Sequence, residues 1–282
     1  MKIGVIGVGH LGNFHLKQLS KIPNISISGI FDNDNYRLKE ISGRYNIESF
    51  SNLEKLLIES DAVSIATPTP NHFHIADLAL NNNCHIFIEK PICDNIEHAK
   101  LLLNKSEKYN KIIQVGHIER FNPAFSILKK SKIEPHFIES HRLAKFNVRG
   151  NDVPVILDLM IHDLDIILSL IKSNIKNIYA NGVKVVSSSI DIANARIEFE
   201  NGCIANLTAS RISQKIMRKM RLFQKQEYIT VDFQKGILEK YKIYDKVPDN
   251  ITDKIIQIGD DEKKHIVYSK PIIPKLDALK EE

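Results

Sequence analysis

Apolar and polar positions follow two different rhythms along this chain, and the change from one to the other divides it. From the start, an apolar, β-branched run over residues 2–7 ends at glycine and gives way to a segment of helical period from Leu11 to Lys21. Ile25–Phe31 reads as a second strand and Asn35–Tyr45 as a second helix. The pattern then repeats through Leu53–Ile58, the strand Ala62–Ala66, the helix His74–Asn81, the strand His85–Ile88, the helix Ile96–Tyr109 and the strand Ile112–Val115. Short strands alternating with helices imply a parallel sheet covered on both faces, a doubly wound α/β arrangement.

The rhythm breaks after about Pro123. A strand near Phe137–Leu143 precedes an apolar helix from Pro154 to Leu170, and strand-like runs then dominate: Asp191–Phe199, Cys203–Ser210, Met217–Phe223, Tyr228–Phe233, Ile237–Tyr241 and His265–Tyr268. Asn201-Gly202 between the first two is a two-residue hairpin signal. The expected organisation is an α/β domain over residues 1–122 and an α+β domain over 123–282 with a largely antiparallel, open sheet. Its last helix starts near Leu279 and is short or truncated.

Composition narrows the class. A chain of 282 residues supports two cores. No stretch reaches the roughly 20 apolar residues of a membrane span, since even Val153–Ile171 carries Asp158, His162, Asp163 and Asp165. The glycine-spaced start lacks a small-residue cleavage site and reads as a strand, not a signal peptide. Cys84, Cys93 and Cys203 form no CxxC pair, so neither a disulfide framework nor a zinc site is expected, and the compartment is read as cytoplasmic. The net charge of +5 is spread along the chain, which predicts a solvated surface and a field favourable to a diphosphate, with no nucleic-acid partner.

The chemistry starts at Gly7-Val8-Gly9-His10-Leu11-Gly12. This GxGxxG follows a predicted strand, opens a predicted helix, and has Asp32 at the end of the next strand about twenty residues on, the fingerprint of a Rossmann dinucleotide site. Gly7 permits the tight turn, Gly9 lets the backbone approach a pyrophosphate and Gly12 allows close helix–strand packing, while the helix N-terminus offers free N–H groups. His10 and Leu11 are assigned to the site with the motif. Asp32 would accept from the adenosine ribose hydroxyls and repel a 2′-phosphate; with no arginine read beside it, NAD is preferred over NADP.

Three further segments, Ala66-Thr-Pro-Thr-Pro-Asn-His72, Glu89-Lys90-Pro91 and Asp158-Leu-Met-Ile-His162, stand in an order and spacing that resembles the glucose-fructose oxidoreductase, inositol dehydrogenase and MocA family. The resemblance implies that Lys90, Asp158 and His162 line the interdomain cleft near the nicotinamide as catalytic residues. It implies too that Thr67, Pro68, His72, Glu89 and Lys90 border the cofactor, and that the Lys90–Pro91 bond is cis. Oxidising a secondary alcohol needs a base for the hydroxyl proton, and an imidazole suits that task. His162 is the candidate base, with Asp158 four residues earlier on the same helix face to orient it or to bind a second hydroxyl. Lys90 would donate to the reacting oxygen, or take the proton itself if desolvation lowers its pKa. No metal is required by the spacing of His141, Asp158 and His162.

Gly116–Pro123, His141–Leu143, Asp158–Leu170 and Ile192–Arg211 are similar to the branch of that family containing UDP-N-acetylglucosamine 3-dehydrogenases. Such enzymes oxidise the sugar's C3 hydroxyl, and a partner aminotransferase then makes a 3-amino sugar for lipid A-type glycolipids. A nucleotide sugar needs cations for its diphosphate, and Arg120, Arg142, Arg149 and Arg211 are candidates. Glu119 and Asn122 could meet sugar hydroxyls, and Asp158 and His162 complete the expected substrate set. Asp163 and Asp165 read as solvent-facing or domain-contact residues. Competing readings are a free-polyol or imine-reducing enzyme of the same fold and a non-catalytic NAD-sensing regulator. The open sheet implies a homo-oligomer, a dimer or tetramer, as in relatives.

Overall fold

Five short strands rich in β-branched residues build the first of two compact units, Met1–His117 with Glu282; the second comprises Ile118–Glu281. The structure, a computed structural model, describes residues 1–147, 153–247, 254–257 and 264–282. In the first unit β1 (Lys2–Ile6), β2 (Ser26–Phe31), β3 (Ala62–Ile65), β4 (His85–Glu89) and β5 (Ile113–Gly116) are parallel, in the order β2-β1-β3-β4-β5. Helices α1 (His10–Leu19), α2 (Asn35–Tyr45), α3 (Leu53–Ile58), α4 (His72–Asn81) and α5 (Ile96–Lys108) alternate with them. Consecutive residues of β1 feed opposite cores: Val5 packs with Leu16, Ile30 and Leu38, whereas Ile6 packs with Leu57, Val63 and Ile88. A strand buried on both faces therefore reads as a continuous apolar run. Because the chain leaves β1 toward β2 on one side and returns to β3 on the other, the order reverses there. The crevice beyond the carboxyl ends of those strands is where such sheets bind ligands.

The second unit begins with a 3-10 turn, Ile118–Phe121, and helix α6 (Pro123–Lys129), whose N-terminus is capped by the Asn122 side chain. Strand β6 (Phe137–Leu143) follows. A π-helical turn, Ile156–Met160, then runs into α7 (Ile161–Leu170). The remaining strands are β7 (Ile175–Val183), β8 (Ile192–Phe199), β9 (Ile204–Ser210), β10 (Met217–Gln224), β11 (Glu227–Asp232), β12 (Ile237–Tyr244), β13 (Lys254–Gln257) and β14 (His265–Ser269), and a single helical turn α8 (Ala278–Glu281) comes last. They form a nine-stranded sheet ordered β13-β14-β12-β11-β10-β6-β9-β8-β7, antiparallel throughout except for the parallel pair β6–β9. Period-two alternation sends Ala193, Ala195, Ile197, Phe199, Leu207, Met220 and Leu222 to one face, where Phe125, Leu128, Ile166 and Ile167 of the helices close the core. On the opposite face Phe137, Phe223, Tyr228, Tyr241 and Tyr268 form a continuous aromatic row across five strands, with successive ring centroids 5.9, 4.9, 5.4 and 5.0 Å apart. Among the described residues no helix is long and apolar enough to cross a membrane.

The structure departs from the sequence expectations in four places. The division falls at His117/Ile118 instead of 122/123, because Glu119 and Asn122 bond within the second unit, to Arg142 and to the carbonyl of Phe233. The strands β7 and β13 were not expected; every residue of β7 is exposed, so it lacks the buried alternation that marks a strand in sequence. The hairpin joining β8 and β9 has a three-residue loop, not two. Gly202 N–H donates to the carbonyl of Phe199 at 3.0 Å, and Gly202 itself takes φ +85°, a type I turn closed by a left-handed glycine. The helix expected from Pro154 to Leu170 begins as a π turn.

One buried carboxylate organises the loop before β8. Asp191 accepts from the backbone N–H groups of Val185, Val186 and Ser187 at 2.8, 2.7 and 2.9 Å, from the Ser187 hydroxyl at 2.6 Å and from Arg211 Nε at 2.9 Å. The Ser187 hydroxyl and these amides hold its carboxyl well below the usual carboxylate range. A depressed folded-state pKa contributes stability above the unfolded value of about 4 that is lost as pH falls further. Asp191→Asn is therefore expected to lower the urea midpoint at neutral pH and to flatten its decline between about pH 5 and pH 2, measured by circular dichroism across that range.

Candidate active site

The turn between β1 and α1 is shaped by backbone contact. Gly7 sits at φ +83°, and a Cβ there would lie 2.8 Å from the carbonyl oxygen of Ala66; a Cβ on Gly12 would lie 1.8 Å from the carbonyl oxygen of Gly7. Neither position accepts any other residue without displacing the strand or the helix. Gly9 differs: among the described residues the only atom within 4 Å of where its Cβ would point is Arg37 Nη1, at 4.0 Å. Gly9 is also the N-cap of α1, and no side chain caps that helix. Uncapped N–H groups facing open space are suited to the oxygens of a pyrophosphate. His10 and Leu11 are exposed in the first turn of α1.

Asp32 lies just past β2, buried, and its carboxylate is anchored from two sides: Val8 N–H donates to Oδ2 at 2.9 Å and Asp34 N–H to Oδ1 at 2.8 Å. The expectation that no arginine stands beside it is corrected here. Arg37 Nη1 lies 3.3 Å from both Asp32 oxygens, while its Nη2 lies 3.1 Å from Asp34. Sequence reading passed over Arg37 because it belongs to the next element, in the first turn of α2, where Asp34 is the cap.

At the other end of the crevice, β4 delivers Glu89-Lys90-Pro91. The Lys90–Pro91 peptide is cis, and Lys90 is half-buried. Two histidines brace this turn. His15 on α1 is buried, with Nε2 2.9 Å from Glu89 Oε1 and Nδ1 2.8 Å from the Ser64 hydroxyl. His72, assigned from sequence to the cofactor, is instead enclosed: its ring nitrogens lie 2.8 Å from the carbonyl oxygens of Pro91 and of Thr67. It fastens the Thr67–Pro68 loop to the lysine-bearing turn. Thr67 is half-buried and Pro68 exposed on that loop. His15 went unread in sequence, although its place three residues after Gly12 puts it on the same helix face.

In the second unit Asp158 falls in the π-helical turn and His162 in the first turn of α7, both half-buried. Wide helical turns of this kind are rare and occur at functional positions more often than elsewhere. Beneath them lies an ion cluster of a different kind. Arg142 is 2% exposed and donates from Nε and Nη2 to Asp163, at 3.0 and 2.7 Å, and from Nη1 to Glu119 at 2.8 Å; the Phe233 ring lies 5.8 Å from its guanidinium. The two carboxylates outweigh burial and push the Arg142 pKa above its already high value. Arg142 and Glu119, expected to bind substrate, are thus committed to each other, and Asp163 is buried, not solvent-facing. Arg211 is similarly enclosed by Asp191 and by the carbonyl of Val153. Arg120 keeps half of its side chain exposed while bonding Asp165. Asn122 is an N-cap and donates to Glu119 at 3.1 Å. Arg149 lies outside the described residues.

Burial pushes the thiols of Cys84, Cys93 and Cys203 up to about 11, so none is a nucleophile at neutral pH. Among the described residues no group of histidine, cysteine and acidic side chains could hold a metal ion.

An open glycine turn at an uncapped helix, with an anchored carboxylate at the end of the next strand, defines a dinucleotide-binding oxidoreductase fold. The model of the oxidoreductase family with an NAD-binding Rossmann fold matches residues 1–117, and that of the GFO/IDH/MocA C-terminal domain matches residues 140–239. A UDP-N-acetylglucosamine 3-dehydrogenase from Acidithiobacillus ferrooxidans is 39% identical over 86% of this chain and 77% of its own length. Its solved structure superposes with a TM-score of 0.87, covering 100% of this chain and 86% of that one at 35% identity. A scyllo-inositol 2-dehydrogenase (NAD(+)) from Bacillus subtilis is 28% identical over 76% of this chain and 68% of its own length. The chain belongs to the glucose-fructose oxidoreductase, inositol dehydrogenase and MocA family.

Removing one member of a buried ion cluster leaves uncompensated charge. Arg142→Ala is expected to destabilise the second unit by about 3–5 kcal/mol, and Arg142→Lys to recover only part of this because an ammonium cannot make the two-pronged contact with Asp163. Equilibrium denaturation checks both.

Proposed function

We propose that this protein is an NAD-dependent sugar dehydrogenase that oxidises the C3 hydroxyl of UDP-N-acetylglucosamine to the ketone. The observation that carries this reading is the 39% identity, over 86% of the chain, to an enzyme named for that reaction. NAD is preferred over NADP because Asp32 presents an anchored carboxylate suited to ribose hydroxyls. NAD, when bound, supplies the acceptor for the hydride leaving C3.

The protein's own residues handle the proton and the geometry. His162 takes the hydroxyl proton as the C–O bond gains double-bond character, and Asp158 orients the ring or holds a neighbouring hydroxyl. Lys90 donates to the reacting oxygen, opposing the negative charge that grows on it. Its turn is braced by the His72 contact to Pro91, so the ammonium is presented from a fixed base. Arg120, with its side chain half exposed, serves the substrate diphosphate, and Asn122, through Glu119, supports the Arg142 cluster. Arg142 and Glu119 act as scaffold.

Three wider assignments go with this reading. The cytoplasm suits three buried free thiols and a soluble cofactor, and the keto sugar would serve an aminotransferase supplying amino sugars for lipid A-type glycolipids. The aromatic row on the open face of the sheet favours a homo-oligomer formed through that face.

Purified protein with UDP-N-acetylglucosamine and NAD is expected to form NADH at 340 nm, with Lys90→Ala lowering kcat by at least about a hundredfold. Absence of turnover across a panel of UDP-sugars would remove the substrate assignment, and calorimetric titration with UDP alone separates a nucleotide-sugar enzyme from one acting on a free polyol. By light scattering the protein should run as a dimer or tetramer, and Tyr228→Glu should shift it toward the monomer; a wild-type monomer would overturn the oligomer.

A further inference from the structure

Lys90 stands between two residues that buried histidines hold in place. His72 takes the Pro91 carbonyl on one side, and on the other His15 Nε2 lies 2.9 Å from Glu89 Oε1. The second contact is enclosed from several directions. The side chain of His15 is 4% exposed and that of Glu89 14%. The Ser64 hydroxyl, buried on β3, lies 2.8 Å from His15 Nδ1, and the Phe87 ring packs edge to face with the imidazole, centroids 5.4 Å apart. A ring that donates from Nε2 to the carboxylate and accepts at Nδ1 from the serine satisfies both nitrogens. Room for the carboxyl comes from β5: Gly116 pairs with Glu89 across the ladder, and a Cβ there would lie 3.3 Å from Glu89 Oε2. Residues of α1, β3, β4 and β5 thus surround one carboxylate.

A buried polar pair of this kind gives little stability over apolar side chains of the same volume; what it adds is direction, and here the next residue in the chain is Lys90. The helix adds a second constraint. The uncapped first amides of α1 stand at one end, and His15 follows about 7.5 Å further along the axis from His10. The anchor offered to a pyrophosphate and the anchor of the lysine-bearing turn are therefore two points on one helix. We infer that His15 is a positioning residue for the hydride-transfer step: through Glu89 it fixes the turn that carries Lys90 in register with the cofactor end of α1. The inference rests on the reading of Lys90 as the donor to the reacting oxygen. Misplacing a reacting group by about 1 Å lowers a rate about a hundredfold, so loss of the His15 contact acts on kcat more than on either KM.

The test compares two amides that each replace half of the imidazole. The side-chain nitrogen of glutamine reaches the place of Nε2 and donates to Glu89, whereas that of asparagine reaches only the place of Nδ1 beside Ser64. With UDP-N-acetylglucosamine and NAD, His15→Asn is expected to lower kcat at least about tenfold while both KM values change less than about threefold. His15→Gln should recover kcat to within about threefold of the wild type. Equal kcat in the two variants, or a loss carried by KM alone, overturns the inference. A second readout needs no turnover: the rate at which acetic anhydride modifies Lys90, followed by peptide mass spectrometry relative to the other lysines. His15→Asn should change that relative rate at least about threefold, because an amine's reactivity follows its surroundings, and His15→Gln should not; equal rates in the two variants overturn the inference. If the wild type turns over no UDP-sugar, the substrate reading fails by itself and the labelling decides. Should His15→Asn not fold, Glu89→Gln, whose amide oxygen still accepts from Nε2, should keep a kcat at least about tenfold above that of Glu89→Ala, and equal values overturn the inference.

Discussion

A single guanidinium buried between two carboxylates fixes the second unit of this protein. Arg142 projects from β6, Asp163 from α7 and Glu119 from the turn that opens the unit, so one cluster joins sheet, helix and lead-in segment. Charges taken out of water are tolerated only when their geometry is good and their hydrogen bonds are made; here the planar fork of arginine meets Asp163 at two points and Glu119 at a third. The helix carrying His162 is thereby set on the sheet by directional bonds as well as by the packing of Ile166 and Ile167, and apolar contact alone, being non-directional, would leave its rotation less defined.

The first unit solves a different problem, the close approach of backbone to backbone. Gly12 lies so near the Gly7 carbonyl that a side chain has no room, and the reward is a helix whose first amides face an open turn. Polar contacts then order the rim. Val8 and Asp34 orient Asp32, Ser64 and His15 hold Glu89, and His72 secures two carbonyls. Backbone amides in the first case and side chains in the others thus fix the residues around the turn, a second layer of support.

Much of this was legible in sequence because it depends on local pattern. Alternating strands and helices, the glycine spacing and Asp32 are readable from periodicity and from what a tight turn allows, and the parallel and antiparallel halves follow from the change of rhythm. What escaped reading depends on long-range pairing. Nothing around Arg142 marks it as buried, since its partners lie 23 and 21 residues away; an arginine read alone looks like a phosphate ligand. Arg37 was missed for the converse reason, being close in sequence to Asp32 but on the next helix. The exposed strand β7 shows no burial pattern to detect, and the extra residue in the β8–β9 hairpin is a matter of backbone geometry that Asn-Gly signals only approximately.

The double grip of His72 has a mechanical corollary. One imidazole ring, 1% exposed, contacts both Thr67 and Pro91, so the loop and the lysine-bearing turn share a single buried tie. The Thr67 carbonyl and the carbonyl one residue past Lys90 are then held by a single ring.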